Sequence, residues 1–191
     1  MKPFPVGLDV AGRACLVVGA GAVAARKAAA LIDCGALVTI VAPSISPEAS
    51  ALAAILVERR YVAGEAADYW FVTAATDDRA VNQQVFDDAT AAKVWVNAAD
   101  DPDRCTAILP AVLRRGPISI AVSTSGTAPA LASWLRDRIA HLIGPEFEQY
   151  AAELAARRAA VHAEGRSTEG LDWYAQIDEL AASSSLVEVA S

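Results

Sequence analysis

The chain has 191 residues, 54% of them hydrophobic and 20% charged, with a formal net charge of −7. That length allows one sizeable core, or a core domain with a small appendage, and the composition is globular rather than disordered. The acidic balance, without a basic stripe, speaks against a generic nucleic-acid binder, while a polyanionic small substrate would need local cations in its pocket. Much of the hydrophobic share is alanine, and no apolar run reaches the roughly 18–20 residues of a membrane-spanning helix. The opening MKPFPVGLD shows no signal-peptide hydrophobic region, so the expected setting is cytoplasmic, away from membranes.

CLVVG (15–19) is a short apolar run ending in glycine and reads as a buried strand. Residues 22–34 follow as a helix, with Val23, Ala24, Ala28, Leu31 and Ile32 available to face a sheet, and Gly35 stops it. LVTIV (37–41) is a second strand closed by Pro43. Ser46-Pro47 opens the next helix, serine as N-cap and proline at the first position. LVERR (56–60) is a third strand and YWFVTAAT (69–76) a fourth. A helix over 78–92 leads to a fifth, KVWVN (93–97). This alternation predicts a doubly wound parallel α/β sheet.

The pattern changes after residue 105. AILPAVLRRGPISIAVST reads as two antiparallel strands around a basic turn. APALASWLRDRIAHLIG (128–144) is an amphipathic helix with Leu131, Leu135, Ile139 and Leu142 on one face. Two more helices follow, over 146–163 and about 169–182, and the closing SSSLVEVAS is expected to fray. The expected division is a nucleotide-binding domain over 1–109, a small α+β region over 110–144 and a helical domain over 145–191.

The turn from Gly19 to Ala24 fits G-x-G-x-x-G/A, between a strand and a helix as a dinucleotide site requires. Gly19 permits the tight turn, Gly21 lets the backbone approach a pyrophosphate, and Ala24 allows close helix–strand packing. The N–H groups opening the helix then face the phosphates. A merely structural tight turn is the alternative. The second strand ends at Val41–Ala42 with neither the acidic residue that clamps a ribose nor an arginine for a 2′-phosphate. The site therefore leans to NAD, with ribose contacts from the backbone at Pro43 or the hydroxyl of Ser44.

Three further stretches emerge at the carboxyl ends of strands or beside them. In ATDD (75–78), Thr76 is placed to line the nicotinamide pocket, while Asp77 or Asp78 caps the next helix. In NAADDPD (97–103), Asp101 reads as a turn residue before proline. Asp100 reads either as part of that turn or as a base beside the nicotinamide, since hydride leaves carbon readily only if a proton leaves too. In STSGTAP (123–129), Ser125 or Thr127 serves as N-cap, and the same hydroxyl and N–H groups suit a substrate carboxylate. Cys15, Cys34 and Cys105 are dispersed without CxxC spacing, and His141 and His162 lack partners at metal spacing. Neither a disulfide framework nor a metal site is expected.

In unbroken order, FPVGLDVAGRACLVVGAGAVAARKAAALIDCGALVTIVAP, ATDDRAVNQQV, VNAADDP and ILPAVLRRGPISIAVSTSGTAPALASWLRDRI resemble the siroheme synthase dehydrogenase–chelatase family over about residues 4–144. The resemblance implies a Rossmann-type domain, a central dimerisation region and a small helical domain, assembled as a homodimer. It implies NAD-dependent oxidation of precorrin-2 to sirohydrochlorin, and in some members insertion of Fe²⁺ as a substrate metal. Family NAD contacts fall here on the backbone of Ala22 and Val23 and on Pro43 and Ser44. The family's essential aspartate in N-x-x-D before proline is here Asp100, three residues after Asn97.

The substrate's carboxylates point to Arg104, Arg114 and Arg115, and to Asn97, Ser123 and Thr124 as further substrate contacts. The chain departs from the family at Ser125, where Ser-Ser-Gly-Gly-Thr has a glycine, which reduces local backbone freedom. Its length leaves no room for the methyltransferase module fused to some relatives, so methylation is expected from a separate enzyme. Two other readings are a dehydrogenase that relies on a separate chelatase, and a non-catalytic NAD- or tetrapyrrole-sensing module. Metal insertion into sirohydrochlorin separates the first, and tetrapyrrole binding without NADH formation the second.

Overall fold

A computed structural model of the protein describes residues 3–183. Beyond Ser183, the segment expected to fray lies outside the described residues. The chain forms two compact units, Met1–Leu109 with Ser125–Thr127, and Pro110–Thr124 with Ala128–Ser191.

In the first unit, β1 (Ala14–Val18), α1 (Ala22–Asp33), β2 (Leu37–Ala42), α2 (Pro47–Ser50) and β3 (Ile55–Glu58) wind to one side. Then β4 (Phe71–Ala74), α3 (Arg79–Ala91) and β5 (Trp95–Ala98) wind to the other. The sheet order is β3-β2-β1-β4-β5, parallel throughout, so the strand order reverses between β1 and β4. In a doubly wound sheet that reversal opens a crevice at the carboxyl ends of the strands. The expected Rossmann-type α/β class is therefore the observed one.

Alternating strand residues feed two cores. Cys15, Val17, Val38, Ile40 and Phe71 face α1, where Ala24, Ala25 and Ala28 let the helix come close. Leu16, Val18, Val41, Val72 and Val96 face the other way and pack with Val85 and Ala89 of α3. Burying each such aliphatic side chain contributes about 1.5–3 kcal/mol. Val23, expected to face the sheet, is exposed. The small alanines, not the first valine of the helix, meet the strands. The third, fourth and fifth strands are four residues each, shorter than their apolar runs. A 3-10 turn at Glu65–Asp68, not foreseen, takes the approach to β4.

The second unit holds an antiparallel hairpin, β6 (Ala111–Arg115) and β7 (Ile118–Val122), turning at Gly116. It also holds α4 (Pro129–Leu142), α5 (Glu146–Ala163) and α6 (Trp173–Ser183). The apolar face expected on α4 is only partly covered: Ala132 is buried, while Leu131, Trp134 and Leu142 are exposed. Leu135 and Ile139 of the same face are half-buried.

Candidate functional site

Backbone hydrogen bonds tie the strand exits together. The Gly19 N–H donates to the Val41 carbonyl at 2.9 Å, Ala75 N–H to Val18 at 2.8 Å, and Ala99 N–H to Ala74 at 2.8 Å. The glycine turn, the Pro43–Ser44 segment, Thr76 and the residues after β5 therefore lie along one edge of the sheet. Gly19 has φ +110°, and a Cβ there would stand 2.2 Å from the Ala75 carbonyl oxygen. Only glycine fits this crossing.

Gly21 differs. Its backbone is extended, a Cβ would meet nothing within 4 Å, and it caps α1 without any side-chain hydrogen bond. Gly21, Ala22 and Val23 are exposed, and the first turn of α1 carries no acidic residue. This arrangement fits the diphosphate of a dinucleotide. Pro43 and Ser44 are exposed just past the end of β2.

Thr76 is locked by a residue that sequence reasoning missed. Its hydroxyl and N–H both donate to Oδ1 of Asn82, at 2.8 and 3.2 Å, and Nδ2 of Asn82 donates back to the Thr76 carbonyl at 2.9 Å. Of the two cap candidates, Asp78 is the cap, accepting from the N–H groups of Ala80 and Val81.

Asp100 is exposed, with left-handed backbone at φ +58°. It lines a cleft of about 220 Å³ with Thr76, Arg79, Asn82, Asp101 and Arg104. Arg104 is ion-paired to Asp101 and bonded to Gln83 Oε1, so its charge is largely committed within the fold. Arg79, at the start of α3, brings a second guanidinium to the cleft. The sequence signal for it was a cation in a helix's first turn, where the macrodipole disfavours positive charge.

Asn97 was expected to contact substrate, but it is 5% exposed. Its Nδ2 donates to the Ala107 carbonyl at 2.9 Å and contacts Cys105 Sγ at 3.5 Å, while its Oδ1 accepts from Lys27 Nζ at 2.8 Å. Burial pulls the Lys27 ammonium below the ordinary lysine range, Arg26 adds to this, and Cys105 and Asp100 act the other way. Burial likewise pushes the Cys105 thiol up.

In the second unit, Arg114 donates to Ser119 Oγ at 3.2 Å, and Arg115 donates from Nε to the Ile143 carbonyl at 3.2 Å. Neither Ser125 nor Thr127 caps α4. The cap position is Ala128, and its N–H is taken by Thr124 Oγ1 at 3.1 Å. Ser123 lies between β7 and that threonine. Ser125 adopts φ +56°, a left-handed conformation that glycine adopts without a Cβ penalty. Gly126, grouped with the first unit, packs beside Pro102, where a Cβ would sit 3.0 Å from the ring. Among the described residues, no group of three or more His, Cys, Asp or Glu side chains is placed to hold a metal ion. No described helix is long and apolar enough to cross a membrane.

A family model described as "Putative NAD(P)-binding" matches residues 6–111, and one described as "Sirohaem biosynthesis protein central" matches residues 115–142. The siroheme synthase of Tolumonas auensis is 43% identical over 145 residues, 75% of this chain and 31% of that protein. The siroheme synthase of Neisseria meningitidis serogroup C is 41% identical over 172 residues, 87% of this chain and 36% of that protein. The chain thus spans about a third of the length of these relatives. Among solved structures, SirC, a precorrin-2 dehydrogenase, is 26% identical with a TM-score of 0.70, covering 94% of this chain and 88% of its own. The glycine turn that suits a dinucleotide and the central region after it are thus shared, and the chain belongs to the siroheme synthase family.

Proposed function

We propose that the protein oxidises precorrin-2 to sirohydrochlorin with NAD as the hydride acceptor. The observation that carries this reading is the position of Asp100. Its carboxylate opens into a cleft with Thr76 at the carboxyl ends of β4 and β5, beside the crevice where the glycine turn leaves β1. Gly21, with the N–H groups of Ala22 and Val23, holds the diphosphate. Pro43 and Ser44 take the ribose, and Thr76 borders the nicotinamide. When bound, NAD supplies the acceptor for the hydride.

The chain's own residues do the rest. Asp100 takes the proton that leaves the macrocycle as the hydride departs. A carboxylate in hydrogen-bonding reach is suited to this. Arg79 pairs with a substrate carboxylate at the cleft.

We also infer Fe²⁺ insertion into sirohydrochlorin, supported by the siroheme synthase relatives. The macrocycle supplies four nitrogens to the iron, and Asp100 takes the two pyrrole protons in turn, passing each to solvent. The exposed Leu131, Trp134 and Leu142 on α4 support a homodimer formed through the second unit.

The test is purified protein with NAD⁺ and precorrin-2, followed by absorbance for NADH and sirohydrochlorin. Asp100→Ala should lose turnover and still bind NAD⁺. Wild-type turnover in that variant would remove Asp100 from the mechanism. Fe²⁺ added to sirohydrochlorin reads the second step, and sedimentation reads the dimer.

A further inference from the structure

We propose that Lys27 is a positioning residue for Asp100, acting through the side-chain amide of Asn97. Lys27 lies on α1 and Asn97 near the end of β5, seventy residues apart, yet Nζ reaches Oδ1 at 2.8 Å. The inference rests on Asp100 being the proton acceptor, and it names what holds that carboxylate in place.

An ammonium can only donate, so it fixes which end of the Asn97 amide faces it. With Oδ1 turned to Lys27, Nδ2 is aimed at the Ala107 carbonyl, 2.9 Å away, and toward Cys105 Sγ at 3.5 Å. The amide thereby clamps residue 107 to residue 97, the two ends of the segment that carries Asp100. Cys105 adds a second clamp inside the first, between Ala98 and Asp101. Were the amide reversed, its NH₂ would face the ammonium and its oxygen would face the carbonyl of Ala107. Both contacts would be repulsive.

The surroundings show that Lys27 sets this orientation. Thr73 is the register partner of Asn97 on β4, so their side chains share one face of the sheet about 5 Å apart. The Thr73 hydroxyl is buried and bonds to nothing in the described structure. The Asn97 amide is thus turned away from its strand neighbour and toward the lysine. Lys27 is itself partly buried, which disfavours its charged form, and the Asp100 carboxylate is one of the groups that support that charge. A partly buried cation held on a neutral amide beside a loop acid costs desolvation that folding alone does not require. Its placement makes sense if the loop must present Asp100 in a left-handed conformation that an aspartate does not adopt freely.

The experiment compares Lys27→Met, Lys27→Gln and Lys27→Arg with Asp100→Ala, using NAD⁺ and precorrin-2. Lys27→Met should lower kcat by about tenfold or more, as expected when a reacting group is misplaced by a fraction of an ångström to an ångström. The Kd for NAD⁺, read by fluorescence titration, should stay within about twofold, because a positioning role leaves the dinucleotide turn untouched. Lys27→Arg should restore most of kcat, since it keeps both donor and charge. Lys27→Gln keeps a donor without charge. A kcat between those of the Met and Arg variants is expected, and full wild-type kcat in Lys27→Gln would overturn any role for the charge. Amide hydrogen exchange at residues 98–106 should quicken in Lys27→Met while β1 and β2 stay protected.

Should Lys27→Met lose its fold, Lys27→Gln carries the test by the same kcat and exchange readouts. Wild-type kcat in Lys27→Met together with an inactive Asp100→Ala overturns the proposal and leaves the Asp100 reading standing. An active Asp100→Ala overturns the Asp100 reading and the present proposal with it.

Discussion

Cys105 closes the turn that carries Asp100: its sulfur accepts the Ala98 N–H at 3.2 Å and lies 3.2 Å from the Asp101 carbonyl oxygen. The thiol is buried, and burial raises it above the ordinary cysteine range, so it stays protonated and can donate as well as accept. Cys105→Ala should leave the Ala98 N–H unsatisfied and cost about 1–3 kcal/mol. It should also lower turnover several-fold with NAD affinity unchanged. Cys105→Ser, with a hydroxyl in place of the thiol, should recover part of both. Urea denaturation and steady-state kinetics on the three proteins read the outcome. A stability loss with wild-type turnover would confine Cys105 to the fold.

Arg79 and Arg104 share one cleft but should respond differently to removal. Arg104 is paired to Asp101 and Gln83, so Arg104→Ala removes structure and exposes an unpaired acid beside Asp100. Arg79 is exposed at the start of α3. Arg79→Ala should raise KM for precorrin-2 about fivefold, the worth of about 1 kcal/mol for a partly exposed ion pair, with kcat nearly unchanged. The effect should shrink as salt is raised from 50 to 500 mM, because exposed charges are screened. A salt-independent KM in the wild type would remove Arg79 from substrate binding. The same variant should be no less stable than the wild type, since it removes a cation from a helix N-terminus.

What the sequence disclosed follows from how local each signal is. Gly21, Ser46 and Asp78 act within four residues of their own positions, and each sits where the motif places it; Gly19 sits there too, although the Ala75 carbonyl that requires a glycine lies across the sheet. Strand alternation and glycine stops set the parallel sheet for the same reason. The Lys27–Asn97 bond spans seventy residues, the Thr76–Asn82 lock depends on the β4 exit, and the Arg104–Asp101 pair depends on the 3-10 turn at Pro102–Arg104. None of these has a period or a motif. The α4 cap went astray because Ser125 turns left-handed and Thr124, one residue earlier, supplies the oxygen instead. The leucine face of α4 was readable as apolar, but whether a helix face is covered is a tertiary property.

Two helices in the first unit end in the same motif with different residues. After α1, Gly35 at φ +81° donates to Ile32, and Ala36 donates to Leu31. After α3, Lys93 at φ +60° donates to Thr90, and Val94 donates to Ala89. Both are Schellman endings, in which glycine carries no Cβ penalty. Lys93 is exposed, so its side chain packs little. Lys93→Gly should stabilise the protein by up to about 1 kcal/mol, and Gly35→Ala should destabilise it by about the same. A Cβ at Gly35 would meet Ala11 only at ordinary contact distance, so the cost there is conformational rather than steric. Thermal melts of the two variants should move in opposite directions.

Cys15 makes stability depend on alkaline pH. It is fully buried on β1, and burial pushes its thiol up to about 11 from 9.0, only partly offset by a backbone hydrogen bond from Phe71. The unfolded chain therefore releases this proton near pH 9, while the folded chain keeps it until about 11. The folded pKa is the raised one, so this contribution is complete below pH 9 and is lost as pH rises through 11. A shift of about two units corresponds to about 3 kcal/mol at the end of that window. Cys105, raised by burial, adds to the loss. Lys27 works against it: its folded pKa is the lowered one, so its contribution grows as pH rises toward the unfolded value of 10.5. Unfolding free energies from urea titrations between pH 8 and 10.5 should fall with pH in the wild type. Cys15→Ala should start from a lower stability, because a buried side chain is truncated, and decline less steeply. An identical slope in the two proteins would mean that Cys15 keeps an ordinary thiol pKa in the fold.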